Sequence, residues 1–269
     1  MTKTIRKYSS GELAFFAAFE QHKDDLPQGD NAASRQLAVD WLKTNGIATK
    51  RVESYHYSDL RKQFSKKQNY ANSAANISFD DVKSHPTIAA FDDSQYAPVV
   101  FVDGKLRLDL SDISAVVDKI NVSSLAELTA SNKLPASLAT NFAKDDNQNA
   151  IDNLTRVMWR DGLVLSVKQD IAEDLPIFMI FVTTGQNDQA QFNRHYIMLE
   201  QNVKATIIEA HINLNDAPSL NLHHFNYNLD AKSNLTHFVV NGENKSATNI
   251  CRTDGVYADK VILNSTALS

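Results

Sequence analysis

The spacing of hydrophobic residues along this chain of 269 residues changes near residue 160. Before that point, apolar residues recur three and four positions apart, as they do on one face of a helix. After it, short β-branched runs alternate with polar turns, as they do in strands. We therefore predict an N-terminal α+β region over residues 1–160 and a strand-rich core over residues 161–269.

The strand-rich core contains a repeating unit. Leu199–Glu209 is echoed 30 residues later by Leu229–Val239, and more faintly, another 27 residues on, by Val256–Leu263. A repeat of this length that is made of strands predicts a β-helix, whose coils bury their faces only by stacking. The predicted fold is mainly β, with the N-terminal α+β region followed by a partial β-helix of about four to five coils. Its core candidates are Ile207, Ile208, Leu235, Phe238 and Val261.

Capping and turn signals predict the elements of the N-terminal region. Ser9 and Glu12 have the spacing of a capping box, as do Ser124 and Glu127, so a helix is expected after each serine. Apolar periodicity predicts further helices over residues 31–45 and 151–158. Asp103-Gly104 predicts a two-residue turn in a hairpin near residues 99–108. The polar stretch 63–93 is expected to be irregular.

Charge and cysteine content bear on the possible ligands and on the cellular compartment. The net charge is −5, yet residues 1–70 hold 12 Lys and Arg against 8 Asp and Glu. The basic run Arg61–Lys67 leaves a nucleic-acid-binding module open as an alternative, although a solvated surface is the simpler interpretation. The single cysteine, Cys251, excludes an intrachain disulfide and fits a reducing compartment. With no signal peptide or membrane span evident, we expect a cytoplasmic protein.

Residues that carry metal chemistry are present but do not form a recognised motif. Five histidines fall in the strand region: His195, His211, His223, His224 and His237. There is no closely spaced ligand motif and no acidic partner in matching register, and His223 and His224 must point to opposite faces of a strand. We therefore assign no metal ligands, and expect Cys251 to be a buried, inert thiol without a nearby base.

No catalytic or cofactor-binding residues are assigned either. With 8 glycines and no glycine-rich phosphate loop, nucleotide binding is not expected. A β-helix enzyme or binding protein that acts on polysaccharide remains an alternative, but it would need carboxylates stacked on successive coils. The carboxylates in question are not expected to share a register: Glu200, Glu209, Asp216 and Asp230.

Three segments carry a resemblance to a known family. Residues 46–60 resemble the N-terminal signature of the SufD-type iron–sulfur cluster assembly proteins of the SufB/SufD family. Ala48, Tyr55 and His56 stand where that signature has Pro, Trp and Lys. Residues 99–108 and 193–216 are similar to later segments of the family, in the same order and spacing. The motif residues are expected to be structural: Gly46, Thr49, Arg51, Glu53, Tyr55, Tyr57 and Leu60.

The resemblance implies a non-catalytic scaffold subunit, and not an enzyme, in the SUF system of iron–sulfur cluster assembly. It implies a SufB-type paralogue and a SufC-type ATPase as partners. It also implies no cofactor on this chain alone and an iron–sulfur cluster at the level of the complex. Family members are longer, and their contact regions lie beyond the position of Ser269, so a C-terminally truncated member is expected. An uncovered last coil would favour self-association.

Overall fold

The computed structural model describes residues 6–28, 31–65, 68–70, 75–92, 95–135, 138, 149–185 and 189–268. Its α-helices are α1 (Ser10–His22), α2 (Asn31–Asn45), α3 (Leu60–Gln63), α4 (Phe79–Lys83), α5 (Pro86–Ala89), α6 (Leu125–Ala130) and α7 (Ala150–Met158). Short 3₁₀ turns lie at Lys23–Asp25, Glu53–Tyr55, Leu108–Leu110 and Ser114–Val116. Among these described helices, none has the length and apolar character needed to cross a membrane.

The strands form two facing sheets. They are β1 (Ala97–Val102), β2 (Lys105–Leu106), β3 (Ile120–Ser124), β4 (Leu163–Val167), β5 (Ile177–Thr183), β6 (Ala190–Leu199), β7 (Lys204–Asn213), β8 (Ser219–Leu229), β9 (Asn234–Gly242), β10 (Ala247–Tyr257) and β11 (Ile262–Leu268). One sheet has the order β11-β9-β7-β5-β1-β2 and the other the order β10-β8-β6-β4-β3. From β4 onward the chain alternates between the sheets, and every pairing within this part is parallel. The predicted mainly β fold with stacked coils is confirmed.

Strand register confirms the repeat and corrects its details. Leu199 pairs with Leu229, the 30-residue offset read from the sequence. Leu229 then pairs with Tyr257, so the last offset is 28 residues. The repeat read from the sequence aligns Leu229 with Val256, one residue too early. The stack has about three turns, fewer than the four to five predicted, because each coil takes about 30 residues.

The core candidates of the solenoid divide by strand face. Ile207 and Leu235 are fully buried between the sheets, whereas Ile208 and Val261 are partly buried. Phe238 was expected in the core but is 36% exposed. Because Leu235 and His237 point inward on β9, the alternation of side chains directs Phe238 outward.

Both sheets are covered on their outer faces by the N-terminal part of the chain. Helices α1, α2 and α7 pack on apolar side chains of β6 and β8 such as Phe192 and Leu222. The segment that holds α4 and α5 covers the other sheet, where Val82 and Ile88 share a buried apolar cluster with Ile180. Strands β1 and β3 pair with β5 and β4. The division at residue 160 stays a prediction, since strands on both sides of it share the same sheets.

Most local predictions for the N-terminal region are confirmed. Ser9 and Glu12 form the predicted capping box, α2 spans residues 31–45, and Ser124 caps α6. Asp103 and Gly104 adopt φ values of 48° and 79°, as the hairpin turn requires. The irregular structure expected for residues 63–93 is wrong in part, because α4 and α5 lie there; their short, locally capped turns leave too little apolar periodicity to detect.

The edge strands β10 and β11 generate a prediction about association. Both lie at the outer edge of their sheets and expose apolar side chains: Val256, Tyr257, Ile262 and Leu268. Exposed strand edges pair readily with other chains. We expect the purified chain to self-associate through these strands, and Ile262→Lys to weaken that association. Light scattering over a concentration series measures it, and a monodisperse monomer at all concentrations would contradict the prediction.

Candidate functional site

The space between the two sheets is apolar at one end of the strands and polar at the other. Leu199, Leu229, Ile207 and Leu235 fill the apolar end. Amide and hydroxyl side chains occupy the polar end: Thr183, Gln191, Asn193, Asn213 and Asn221. Between these halves lies a buried group that we name the histidine cluster: His195, Glu209, His211, His223, Tyr227 and His237.

Glu209 on β7 is the centre of the histidine cluster. His211 donates from Nε2 to Glu209 Oε1 at 2.5 Å, and His237 donates from Nε2 to Glu209 Oε2 at 3.0 Å. Tyr227 adds a hydroxyl 3.3 Å from His237 Nδ1. Burial alone would raise the pKa of Glu209, but its hydrogen bonds to the two histidines hold that pKa well below its ordinary value. The interior therefore contains a carboxylate held by imidazoles on both sides.

His195 and His223 form a second pair beside this carboxylate. The backbone N–H of Leu163 donates to His195 Nδ1 at 3.1 Å, so His195 carries its proton on Nε2 and donates to His223 Nδ1 at 3.1 Å. Burial, together with the nearby His211, lowers the pKa of His195 to about 3 and that of His223 well below its usual range. Both rings are therefore neutral hydrogen-bonding groups at neutral pH.

Aromatic contacts fix the histidine rings in place. Phe181 stacks on His211 with a centroid distance of 4.9 Å and an interplanar angle of 15°. Phe225 stacks on His195 at 4.5 Å. Because His211 and His195 are held on a face as well as by hydrogen bonds, these two rings are preorganised.

Cys251 lies on β10 beside this cluster. Its Sγ is directed inward, 3.9 Å from His211 Nε2, although the residue as a whole is exposed. Burial of the sulfur raises the pKa of the thiol, although His211 opposes the shift. Burial lowers the pKa of His211, but Cys251 and Glu209 together hold it well above its ordinary value. The expectation of a buried cysteine without a nearby base is wrong, because strand stacking brings His211 to it.

Two sequence-based expectations about the histidines have different outcomes. His223 and His224 do lie on opposite faces of β8, the first inside the solenoid and the second against α7. Among the described strand pairs, no acidic residue pairs in register with these histidines, as expected, but Glu209 still contacts His211 on its own strand and His237 diagonally on the next coil. The spacing Glu209-x-His211 was the available signal, because residues two apart on a strand share a face.

A second buried ionic group joins α7 to the outer face of β6 and β8. The Asp152 carboxylate lies 2.7 Å from Arg194 Nη1, 3.1 Å from Arg156 Nη2 and 2.8 Å from His224 Nδ1. His224 Nε2 lies 2.8 Å from Asp254 on β10. Burial would raise the pKa of Asp152, but Arg194, His224 and Arg156 hold it far below its usual value. The Asp152 carboxylate is thus paired with charged or ionisable groups inside the fold, and it anchors the helical layer to the solenoid.

The motif residues of the stretch 46–60 differ in burial and in their contacts. Gly46 has φ +85° and Leu60 is buried, while Thr49 accepts a hydrogen bond from the backbone of Arg51. Tyr55 is buried and donates to Asn149 Oδ1 at 3.0 Å. Extended geometry was expected to place Arg51, Glu53, Tyr55 and Tyr57 on one face, but residues 53–55 form a 3₁₀ turn.

That turn changes the expected roles of the other three residues. Arg51, Glu53 and Tyr57 are exposed, Tyr57 to 95%, and the ion pairs of the described residues include none between Arg51 and Glu53. The stretch therefore contributes to the fold through Tyr55, Leu60 and its backbone. A structural role for the whole motif stays a prediction.

The remaining sequence candidates lie on the surface or outside the described residues. Arg61 and Lys62 are exposed on α3, and Lys66 and Lys67 of the same basic run lie outside the described residues. Glu200 and Asp230 were expected to be out of register, but they follow the paired residues Leu199 and Leu229 and occupy equivalent exposed turns. Glu209 is buried, away from those turns, so the carboxylates do not form one surface row.

Comparisons with known proteins match both parts of the chain. The family model described as "SufBD protein N-terminal region" matches residues 10–179. The model described as "SUF system FeS cluster assembly, SufBD core domain" matches residues 181–269. No curated protein matches the chain.

The buried Asp152 group generates a prediction about stability and pH. Asp152→Asn leaves Arg194 and His224 facing a neutral amide, and loss of one partner in a buried ionic group costs about 3–5 kcal/mol. Because the pKa of Asp152 is depressed by folding, its charge contributes stability above about pH 4, and this contribution is lost as the pH falls. Urea unfolding should show a large loss at pH 7 that shrinks below pH 4.

The control for this variant is Asp118→Asn, which changes an exposed carboxylate. It should shift the unfolding free energy by no more than about 0.5 kcal/mol. A loss in Asp152→Asn that is small at pH 7, or equal at pH 7 and pH 3, would contradict the assignment.

The placement of Tyr55 generates a prediction for the stretch 46–60. Tyr55→Phe removes the hydrogen bond to Asn149, which itself accepts from Ile151 N at the start of α7. We expect a loss of about 1 kcal/mol in unfolding free energy. Tyr57→Phe is the matched control, and Glu53→Ala should also be nearly neutral. Denaturant melts of the three variants test this, and equal losses in Tyr55→Phe and Tyr57→Phe would contradict it.

Proposed function

Because the chain belongs to the SufB/SufD family of iron–sulfur cluster assembly proteins, we propose that it is a non-catalytic, SufD-type scaffold subunit of the SUF system. The observation that carries the proposal is the serial match of two family models over residues 10–179 and 181–269. We place the protein in the cytoplasm, where one unpaired cysteine is the expected state.

The SufD-type assignment is supported by the stretch 46–60. Within it, Gly46 adopts a positive φ beside Arg6, and the N–H of Ile47 donates to the buried carboxylate of Glu12 at 2.9 Å. Burial would raise the pKa of Glu12, but hydrogen bonds from Ser9 and Ile47, together with Arg6, lower it. The motif thus ties α1 and α2 together, which suits a structural role better than a substrate contact.

The chemistry of the chain supports assembly as a complex. A conventional iron–sulfur cluster takes four protein thiolates, and this chain supplies one. We therefore propose that the chain alone holds no cluster and that the cluster forms at the level of a complex. The partners we propose are a SufB-type paralogue and a SufC-type ATPase. Within the described part of the chain, no observation specifically favours polysaccharide or nucleic acid as a ligand.

Gene replacement in the source organism tests this function and its subtype. Deleting the gene should lower the fraction of iron–sulfur enzymes that carry clusters, while leaving the amounts of their polypeptides unchanged. A SufD-type subunit from a related SUF system should restore cluster content, and a SufB-type subunit should not. Unchanged cluster content after deletion would contradict the role in assembly, and rescue by the SufB-type subunit alone would contradict the SufD-type assignment.

A further inference from the structure

We propose that Glu209, His211 and Cys251 bind one divalent transition-metal ion inside the solenoid, between β7 and β10. One potential ligand atom from each residue lies within 4.8 Å of the other two. The site holds a single ion and not a cluster, so it does not rest on the proposed function. It also departs from the expectation, drawn from sequence alone, that the chain binds no metal.

The direction of the ligand atoms separates a metal site from a catalytic relay. A Cys–His–Glu relay needs the thiol and the carboxylate on opposite nitrogens of the imidazole. Here Glu209 Oε1 lies 2.5 Å and Cys251 Sγ 3.9 Å from the same nitrogen, Nε2 of His211. With both groups at the same nitrogen, the imidazole cannot pass a proton from the thiol to the carboxylate. The atoms Oε1, Sγ and Nε2 do, however, lie close enough together to surround a cation.

The distances fit a tetrahedral ion after a small adjustment. Zinc bonds of about 2.3 Å to sulfur and about 2.0 Å to nitrogen place those two atoms roughly 3.5 Å apart. The observed separation between Sγ and Nε2 is 3.9 Å. The Glu209–His211 contact has hydrogen-bond length and must lengthen by roughly 1 Å. The ion replaces the proton on His211 Nε2 and the thiol proton of Cys251, and both protons pass to solvent.

Neighbouring groups hold the ligands in the way that metal sites require. His237 donates to the second carboxylate oxygen of Glu209 at 3.0 Å, and Tyr227 contacts His237 in turn. Phe181 stacks on the ring of His211. Hydrogen-bonded carboxylates and fixed imidazole rings are typical of the groups that surround metal ligands. Cys251 is exposed on β10, whereas Glu209 and His211 are buried, so an ion has a route of entry past Cys251.

The donor set defines the class of ion. One thiolate, one imidazole and one carboxylate suit borderline ions such as Zn²⁺, Co²⁺ and Fe²⁺, whereas Mg²⁺ and Ca²⁺ prefer oxygen ligands. Three protein ligands leave a fourth position open, which is the arrangement of reactive and exchangeable sites and not of closed structural ones.

Cobalt binding to the full chain tests the site directly. After chelator treatment and dialysis, Co²⁺ should bind with a stoichiometry of one and produce the near-ultraviolet charge-transfer band of a cobalt–thiolate bond. Zn²⁺ should displace it, and Mg²⁺ should not. Zn²⁺ should also raise the melting temperature of the chain, because a ligand that binds only the folded state stabilises it. Anaerobic Fe²⁺ competition shows whether iron shares the site.

Variants distinguish this site from adventitious binding. Cys251→Ser should abolish the charge-transfer band, and His211→Gln should weaken Co²⁺ binding at least about 100-fold, whereas His237→Gln should weaken it about 10-fold. His56→Gln, at an exposed histidine, is the matched control and should bind as the wild type does. Urea melts verify that each variant is folded, and Cys251→Ser, a conservative change on an accessible strand, keeps the test valid if His211→Gln does not fold.

Three results would overturn the proposal. The first is Co²⁺ binding well below one equivalent in the folded wild type. The second is a charge-transfer band that survives in Cys251→Ser. The third is an equal loss of affinity in His56→Gln and His211→Gln.

Discussion

The buried carboxylate of Asp152 is the contact on which the arrangement of the whole molecule depends. It is carried by α7 and is met by Arg194 from β6 and His224 from β8, so one side chain joins the helical layer to two coils of the solenoid. A buried charge is costly unless it is paired, and here three cationic or hydrogen-bonding groups offset that cost. Arg35 of α2 extends the connection, because its guanidinium donates to the carbonyl oxygens of Val157 and Trp159 at 2.8 and 3.1 Å. Misplacing α7 would therefore leave charged and polar groups unpaired on both sides.

The solenoid itself combines an apolar half with a polar half in one interior. Parallel stacking at an offset of about 30 residues places equivalent side chains of successive coils side by side. At one end this produces layers of leucine and isoleucine, and at the other it produces layers of amides and histidines. Because His211 and His237 both hydrogen-bond Glu209, this interior holds a carboxylate that an ordinary core would exclude.

Family membership and the interior cluster describe different properties of the chain. Membership in the SufB/SufD family accounts for the two consecutive family matches along the chain and for a role in iron–sulfur cluster assembly. The convergence of Glu209, His211 and Cys251 is a property of this particular interior. The proposed ion site would give this interior a ligand of its own, and Cys251 is the exposed residue of the three.

The sequence by itself determined the strand-rich repeat with its 30-residue offset, the caps of α1 and α6 and the hairpin at Asp103-Gly104. These features depend on neighbours in the chain, whose spacing is visible in the sequence. Only the tertiary structure decided that Tyr55 is buried while Tyr57 is exposed, that Phe238 faces outward, and that Glu209 meets His237 and Cys251 meets His211. Those outcomes depend on which face of a strand turns inward and on diagonal contacts between coils. Sequence spacing cannot supply them, because a single residue of register reverses the face and changes every partner.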